Sequence, residues 1–384
     1  MMRRFSRNCA TLLALVLLAG CLEPSVQEQR QALAEDDSQP INIGIAWPED
    51  HPKNTLRNGL AMALDDINDR GGVLGRPLKL MHRDDKGSVD EGMVIAQSFA
   101  DNPNVMAVIG HLNTYVATAA APTYQYNGLL MLAPGAEGSE LTSPANDLIF
   151  RTTPENNRSA RQIVERMLEQ GHERVMVYYP DNNYGLDLAN WFEFHANEQG
   201  LRVMDRRSHT TRTGEYRQVL TEWRDFYQFD AIFIASTLPD GADIIRVARE
   251  TGITQPIVAG AGLDSPRLPG ADPSLEGVLV ASTFHPDLDA AGVDDFVARY
   301  KARFDEQPDT AAAKGYDTLR LLARAMENAG TPAPEAVADA LNAMEKWQGV
   351  TGFHQFDEQG DLVKQDLLFK VVRNGTFQLP RDHE

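Results

Sequence analysis

Ile41-Asn42-Ile43-Gly44-Ile45-Ala46-Trp47, followed by Leu56-Arg57-Asn58-Gly59-Leu60-Ala61-Met62-Ala63-Leu64-Asp65-Asp66-Ile67, is the stretch that decides the fold. The first piece is a short apolar run of the kind that forms a strand buried on both faces. In the second, Leu56, Leu60, Ala63, Leu64 and Ile67 fall on one face of a helix. Gly71-Gly72 then stops the helix, as glycines past a C-terminus do. The same unit recurs along the chain. Apolar runs at 78–83, 105–109, 129–133, 175–179, 201–205, 231–235 and 257–259 read as strands. Helical patterns at 89–99, 115–126, 160–170, 185–198, 216–226 and 242–250 lie between them. Alternating strand and helix predicts an α/β fold with a doubly wound parallel sheet. The strands are too many for one small sheet, so two lobes are expected. After Pro286 the character changes. Helices are expected at 293–304, 311–329 and 334–344, then strand-like pieces at 353–356 and 367–372 around a turn at Gly360.

The beginning of the chain bears on location. Arg3, Arg4 and Arg7 precede an apolar run, 10–19, that is too short to span a bilayer comfortably. Leu18-Ala19-Gly20-Cys21 resembles a bacterial lipobox, which implies removal of residues 1–20 and lipid on Cys21. An ordinary signal peptide with an incidental cysteine, or an N-terminal membrane anchor, is the alternative. Residues 21–40 are mostly polar and charged and read as a flexible lipidated tether, with a short helix as the alternative. Cys9 and Cys21 are the two cysteines, so the folded part is expected to have no disulfide and to rest on a large core. The net charge of −19 argues against a nucleic-acid partner and against adhesion to anionic lipid.

No catalytic set assembles from the sequence. Gly-x-Ser-x-Gly, His-Glu-x-x-His and the phosphate-binding glycine loop are absent, and the nine histidines are scattered. No catalytic residue, metal site or cofactor is expected. Asp65-Asp66 and Asp84-Asp85 read as solvated faces or turns.

Five segments carry a resemblance. They are 65–78 (Asp65-Asp66-Ile67-Asn68-Asp69-Arg70-Gly71-Gly72 onward), 84–87, Val108-Ile109-Gly110-His111-Leu112-Asn113-Thr114, Phe150-Arg151-Thr152-Thr153-Pro154, and Asp181-Asn182-Asn183-Tyr184-Gly185. With Val350-Thr351-Gly352 they are similar, in order and spacing, to the type I periplasmic binding proteins, the leucine/isoleucine/valine- and amide-binding group that serves ABC transporters. That resemblance implies two lobes joined by a hinge that the chain crosses three times, 41–154 with 286–350 in the first and 155–285 with 351–384 in the second. It implies a small polar ligand captured between the lobes, a permease as partner, and location in the periplasm.

Ligands of open α/β sheets bind beyond the carboxyl ends of strands. Asn113 and Thr114 lie at such an end, where they either meet a ligand or cap their own helix. Gly135, Ala136 and Glu137 follow another. In the resembling family that loop holds the ligand through backbone atoms and a Ser or Thr. Glu137 stands in place of the hydroxyl residue, either as a ligand contact or as a surface acid or salt-bridge partner. Amino-acid binders of the family carry an acid between two glycines after the 257–259 strand. Here Ala261 takes that place, and Asp264 is a weaker substitute. A ligand ammonium therefore lacks its usual partner: either Glu137 takes over that role from the other lobe, or the ligand is not an ordinary α-amino acid, and a branched-chain amino acid held by its ammonium becomes doubtful. Tyr184 matches a pocket position, Thr237 stands where a tyrosine is frequent, and Trp47 belongs to pocket or core. The alternative function is a ligand sensor, or an envelope assembly protein that binds a protein partner.

Overall fold

The computed structural model describes residues 24–143, 145–210, 213–270 and 272–381. The proposed signal segment and Cys21 lie outside the described residues. A five-stranded sheet has the order β2-β1-β3-β4-β5, with all its strands parallel. Its strands are β1 (Ile41–Ala46), β2 (Leu78–Arg83), β3 (Val105–Gly110), β4 (Leu130–Ala133) and β5 (Ile149–Arg151). Both faces are covered, as apolar parallel strands require. Ile41, Ile43 and Ile45 face one cluster with Leu132 and Phe150, while Val105, Val108 and Met131 face another.

The second sheet has seven strands in the order β14-β13-β10-β9-β8-β6-β7. These are β6 (Arg174–Pro180), β7 (Arg202–His209), β8 (Ala231–Ile234), β9 (Ile257–Ala259), β10 (Leu279–Ser282), β13 (Leu368–Arg373) and β14 (Thr376–Gln378). Strands β6 to β10 pair in parallel, and β13 and β14 are antiparallel additions. Between β10 and β13, the helices Val293–Phe304, Thr310–Ala329 and Pro334–Asn342 return to the first sheet's core. The Thr310–Ala329 helix packs on Leu56–Asn68, and Gly59 makes the close crossing possible, since a Cβ there would lie 1.8 Å from the Ala312 carbonyl oxygen. β11 (Trp347–Gly349) and β12 (Gly352–His354) form a separate ribbon.

The segment before the first strand departs from a tether. Val26–Ala34 is a helix with a capping box between Ser25 and Glu28, and it is docked on the first lobe. Two buried arginines hold it there. Arg30 donates to the carbonyls of Val105 (2.9 Å), Ala100 (2.7 Å) and Asn127 (2.9 Å). Arg76, from the lobe, donates to Ala34 (2.8 Å) and Gln39 (2.8 Å). A polar composition does not keep this segment free, because its main anchor is a guanidinium satisfied by backbone carbonyls.

A second departure concerns Asp84-Asp85. Asp85 is buried, and its carboxylate lies 2.7 Å from His111 Nδ1, while His111 Nε2 lies 3.1 Å from the Tyr124 hydroxyl. This chain of three buried polar groups fixes the backbone that leads to Asn113 and Thr114.

Candidate ligand-binding cleft

Strand ends from the two sheets face each other across two adjoining small cavities, of about 20 Å³ and about 70 Å³. The first lobe contributes the segments after β1, β3 and β4. The second contributes those after β6, β8 and β9. All are carboxyl ends of parallel strands, where loops are free to turn side chains toward a ligand.

Trp47 is buried at the end of β1, lines the first cavity, and donates from Nε1 to the Lys53 carbonyl at 3.2 Å. It is therefore both core and wall. Asn113 and Thr114 line the second cavity. Asn113 occupies the N-cap position of the helix Thr114–Tyr126, yet its side chain makes no capping bond. Thr114 is the first helical residue rather than a cap, and its Oγ1 accepts from Gly138 N at 3.1 Å. Its hydroxyl thus ties the helix start to the loop that carries Glu137. Gly135 and Glu137 border both cavities. Ala136 does not: it points into the first lobe's core and lines neither cavity. Tyr184 and Thr237 border the second cavity, and Ala261 the first. The Tyr184 hydroxyl accepts from Gly262 N at 3.1 Å. A Cβ at Gly262 would lie 2.3 Å from the Ser236 carbonyl oxygen, so only glycine lets this loop sit so near the tyrosine.

Asp264 is spoken for. Lys370 Nζ donates to its Oδ1 at 2.7 Å, and Ser282 and Thr310 each donate to its Oδ2 at 2.6 Å. Burial alone raises the Asp264 carboxyl, but Lys370 and these hydroxyls outweigh it and hold the group below the ordinary carboxylate range. It is a structural pin between lobes rather than a substitute for the family's acid.

Glu137 is neither on the surface nor tightly paired. It is buried, its side-chain partner is Lys314 Nζ at 3.9 Å, and among the described residues no donor bonds its carboxylate. Lys314, on the helix Thr310–Ala329, is a buried cavity-lining residue that the sequence does not single out. It borders the first cavity and, among the described residues, makes one hydrogen bond, to Thr153 Oγ1 at 2.6 Å. Burial pushes its ammonium down to about 8, with Glu137 opposing that and Lys53 adding to it. One signal was available: a single charge inside Ala311-Ala312-Ala313-Lys314-Gly315, a run of small residues on a buried helix. Lys53 and His51 line the cleft from the loop after Trp47. Lys53 Nζ crosses to donate to the Ala261 carbonyl at 2.9 Å. Burial, and then Lys53, push His51 down to about 4, which leaves it neutral near pH 7. Other bonds join the segments after β4 and β6, from Ser139 N to Asp187 Oδ2 (3.1 Å) and from Trp191 Nε1 to Ser139 Oγ (2.8 Å).

The buried lysine yields a prediction with a definite sign. Its folded value is below the ordinary 10.5, so between about pH 8 and 10.5 the unfolded chain binds more protons. Its unfavourable contribution is thus full below pH 8 and relieved as pH rises through that window. Lys314→Met should abolish a rise in stability of up to about 3 kcal/mol, the stability difference between variant and wild type shrinking from pH 7.5 to 10 in urea titrations. A difference independent of pH contradicts the assignment.

Two α/β lobes with a walled, charged cleft between their strand ends define a solute-binding protein. The chain belongs to the periplasmic binding protein family, whose model matches residues 42–376. It is 25% identical over 366 residues to the Leu/Ile/Val-binding protein of Escherichia coli (strain K12), covering 94% of this chain and 97% of that protein. A crystal structure of an ABC transporter substrate-binding protein from Desulfitobacterium hafniense in complex with Leu is 36% identical, with a TM-score of 0.81, covering 89% of this chain and all of that one. A leucine-binding protein from Thermotoga maritima is 25% identical with a TM-score of 0.79, covering 89% of this chain and 98% of that one. Proteins of this family bind solutes and are not enzymes.

Proposed function

We propose that this chain is a periplasmic lipoprotein, anchored through lipid on Cys21, that captures a small polar molecule between its lobes and delivers it to the permease of an ABC importer. The lobes divide at residues 154, 285 and 350. An amino acid, amide or related compound is the expected solute class. The single observation that carries this reading is the cleft itself, in which Glu137 and Lys314 of the first lobe are buried with unspent hydrogen-bonding capacity beside a cavity that residues of both sheets line. Buried charges left so poorly partnered are costly unless something else completes them. Asn113, Thr114, Gly135, Glu137, Tyr184, Thr237, Ala261 and Trp47 form the proposed contact set, and Ala136 is withdrawn from it.

The proposal is tested by thermal unfolding and calorimetry of the purified protein with amino acids, amides, urea and polyamines. At least one should bind and raise the melting temperature. Glu137→Ala should weaken that binding by on the order of 2–5 kcal/mol. Unchanged affinity removes Glu137 from the contact set, and no binding by any of these compounds contradicts the proposal.

A further inference from the structure

The charges of the cleft do not match a pocket that waits for a ligand ammonium in the second lobe. At the position after β9 the second lobe offers the small side chain of Ala261, and an ammonium of the protein already stands there, since Lys53 Nζ donates to the Ala261 carbonyl at 2.9 Å. A second ammonium, that of Lys314, borders the same cavity from the helix Thr310–Ala329. Burial is the main cause that lowers Lys314, and repulsion from Lys53 adds to it.

The anions present do not balance them. Asp264 also borders this cavity, but Lys370 neutralises it at 2.7 Å. Glu137 is the remaining acid, and it stays 3.9 Å from Lys314, beyond a hydrogen bond. His51 is neutral. The cleft therefore keeps one uncompensated positive charge. Its Lys314 ammonium can donate three hydrogen bonds and, among the described residues, makes one. An acceptor with negative charge, placed between Lys314 and Lys53, would satisfy the spare donors and relieve the repulsion. The wall beside them is the indole of Trp47 with Leu56 and Leu112, which suits a carbon skeleton rather than an inorganic ion.

We propose that Lys314 and Lys53 form an anion subsite, so that the captured solute is an organic carboxylate, while the Glu137 carboxylate accepts from a hydroxyl or amino group beside it. This rests on the solute-capture reading above and turns its charge pattern around. The carboxylate is read by two first-lobe lysines, and no acid in the second lobe is needed. Lys53, touching Ala261 and the captured carboxylate together, would also link ligand binding to closure of the two lobes.

Four carboxylates, each with its carboxamide, test this by calorimetry on the full folded protein: leucine and leucinamide, lactate and lactamide, succinate and succinamide, 4-hydroxybenzoate and 4-hydroxybenzamide. At least one carboxylate should bind, and its amide at least tenfold more weakly. Binding at pH 8 should take up protons, seen as heats that depend on the buffer's ionisation enthalpy, because the anion restores the charge of Lys314. Lys314→Met and Lys53→Met should each weaken the carboxylate at least tenfold, and Lys314→Met should also abolish the proton uptake. Lys314→Arg keeps the charge, so it guards against a loss caused by misfolding: a folded arginine variant that still prefers the carboxylate supports the subsite. An amide that binds as tightly as its carboxylate, or a folded Lys314→Met of unchanged affinity, overturns the anion subsite but leaves solute capture standing. Absence of binding by both members of every pair overturns the anion subsite, and solute capture falls with it when the amino acids, amides, urea and polyamines above also fail to bind.

Discussion

Asp264→Ala is expected to lower the stability of the folded protein by about 3–5 kcal/mol, the usual consequence of removing one member of a buried ion pair. The carboxylate joins parts of the chain that are far apart in sequence. It follows β9, receives Lys370 from β13, Ser282 from the end of β10 and Thr310 from the start of a first-lobe helix. Lys370 would keep a hydrogen bond to Thr310 Oγ1 at 2.9 Å but lose its counter-charge. Asp264→Ala combined with Lys370→Met should recover most of the loss, since no buried charge then remains. The pH dependence has a defined sign. The folded Asp264 carboxyl lies below its ordinary value, so its contribution is complete above the unfolded value and disappears as pH falls through the folded one. Denaturant titrations should show variant and wild type far apart at pH 7 and converging in strong acid. A single variant within about 1 kcal/mol of wild type at pH 7 contradicts the role of Asp264 as a pin between the lobes.

The second large effect is expected at Arg30. Its guanidinium, pushed down to about 10 by burial, still carries its charge at neutral pH. Arg30→Ala removes a donor from four carbonyl groups, those of Val105, Ala100, Asn127 and Asn102, each worth about 1–3 kcal/mol when left unpaired. The outcome is local because the helix can undock before the lobe unfolds. Amide protection over 26–34 and resistance to proteolysis over 24–40 should fall together. The melting temperature should fall less than it does for Asp264→Ala. Persistent protection of 26–34 in the variant contradicts the clamp. If Cys21 is lipidated as proposed, this helix holds the first lobe close to the membrane, with few residues between lipid and fold.

Much of this architecture is legible in the residues because each buried parallel strand must be apolar on both faces. Ile41, Ile43, Val105 and Val108 show that directly. β5, β11 and β14 are three residues each and exist through their neighbours, so they have no period of their own to read. β10 has three apolar residues before Ser282, and the chain then crosses to the other lobe instead of entering a flanking helix. The cleft was partly legible for the same reason that strand ends are. Trp47, Thr114, Tyr184 and Ala261 follow apolar runs whose ends topology brings together. Ala136 was misplaced because its neighbours Gly135 and Glu137 face the cavities while its own methyl turns into the core. Arg30, Asp85 and Lys314 were missed for a common reason. Polar residues read as surface until burial and partners are known, and hydropathy is silent about a guanidinium that binds carbonyls or a lysine set in an apolar helix.

The central claim, capture of one solute in the inter-lobe cleft, is tested most directly by counting molecules. Protein stripped of ligand by unfolding and refolding is incubated with a small-molecule extract of bacterial cells, desalted, and weighed intact by native mass spectrometry. The structure leads us to expect one added small molecule per chain, released on denaturation and absent when Trp47, Glu137 and Tyr184 are replaced together in a chain that still folds. Equal uptake by that variant, or no uptake by the wild-type chain, would contradict it.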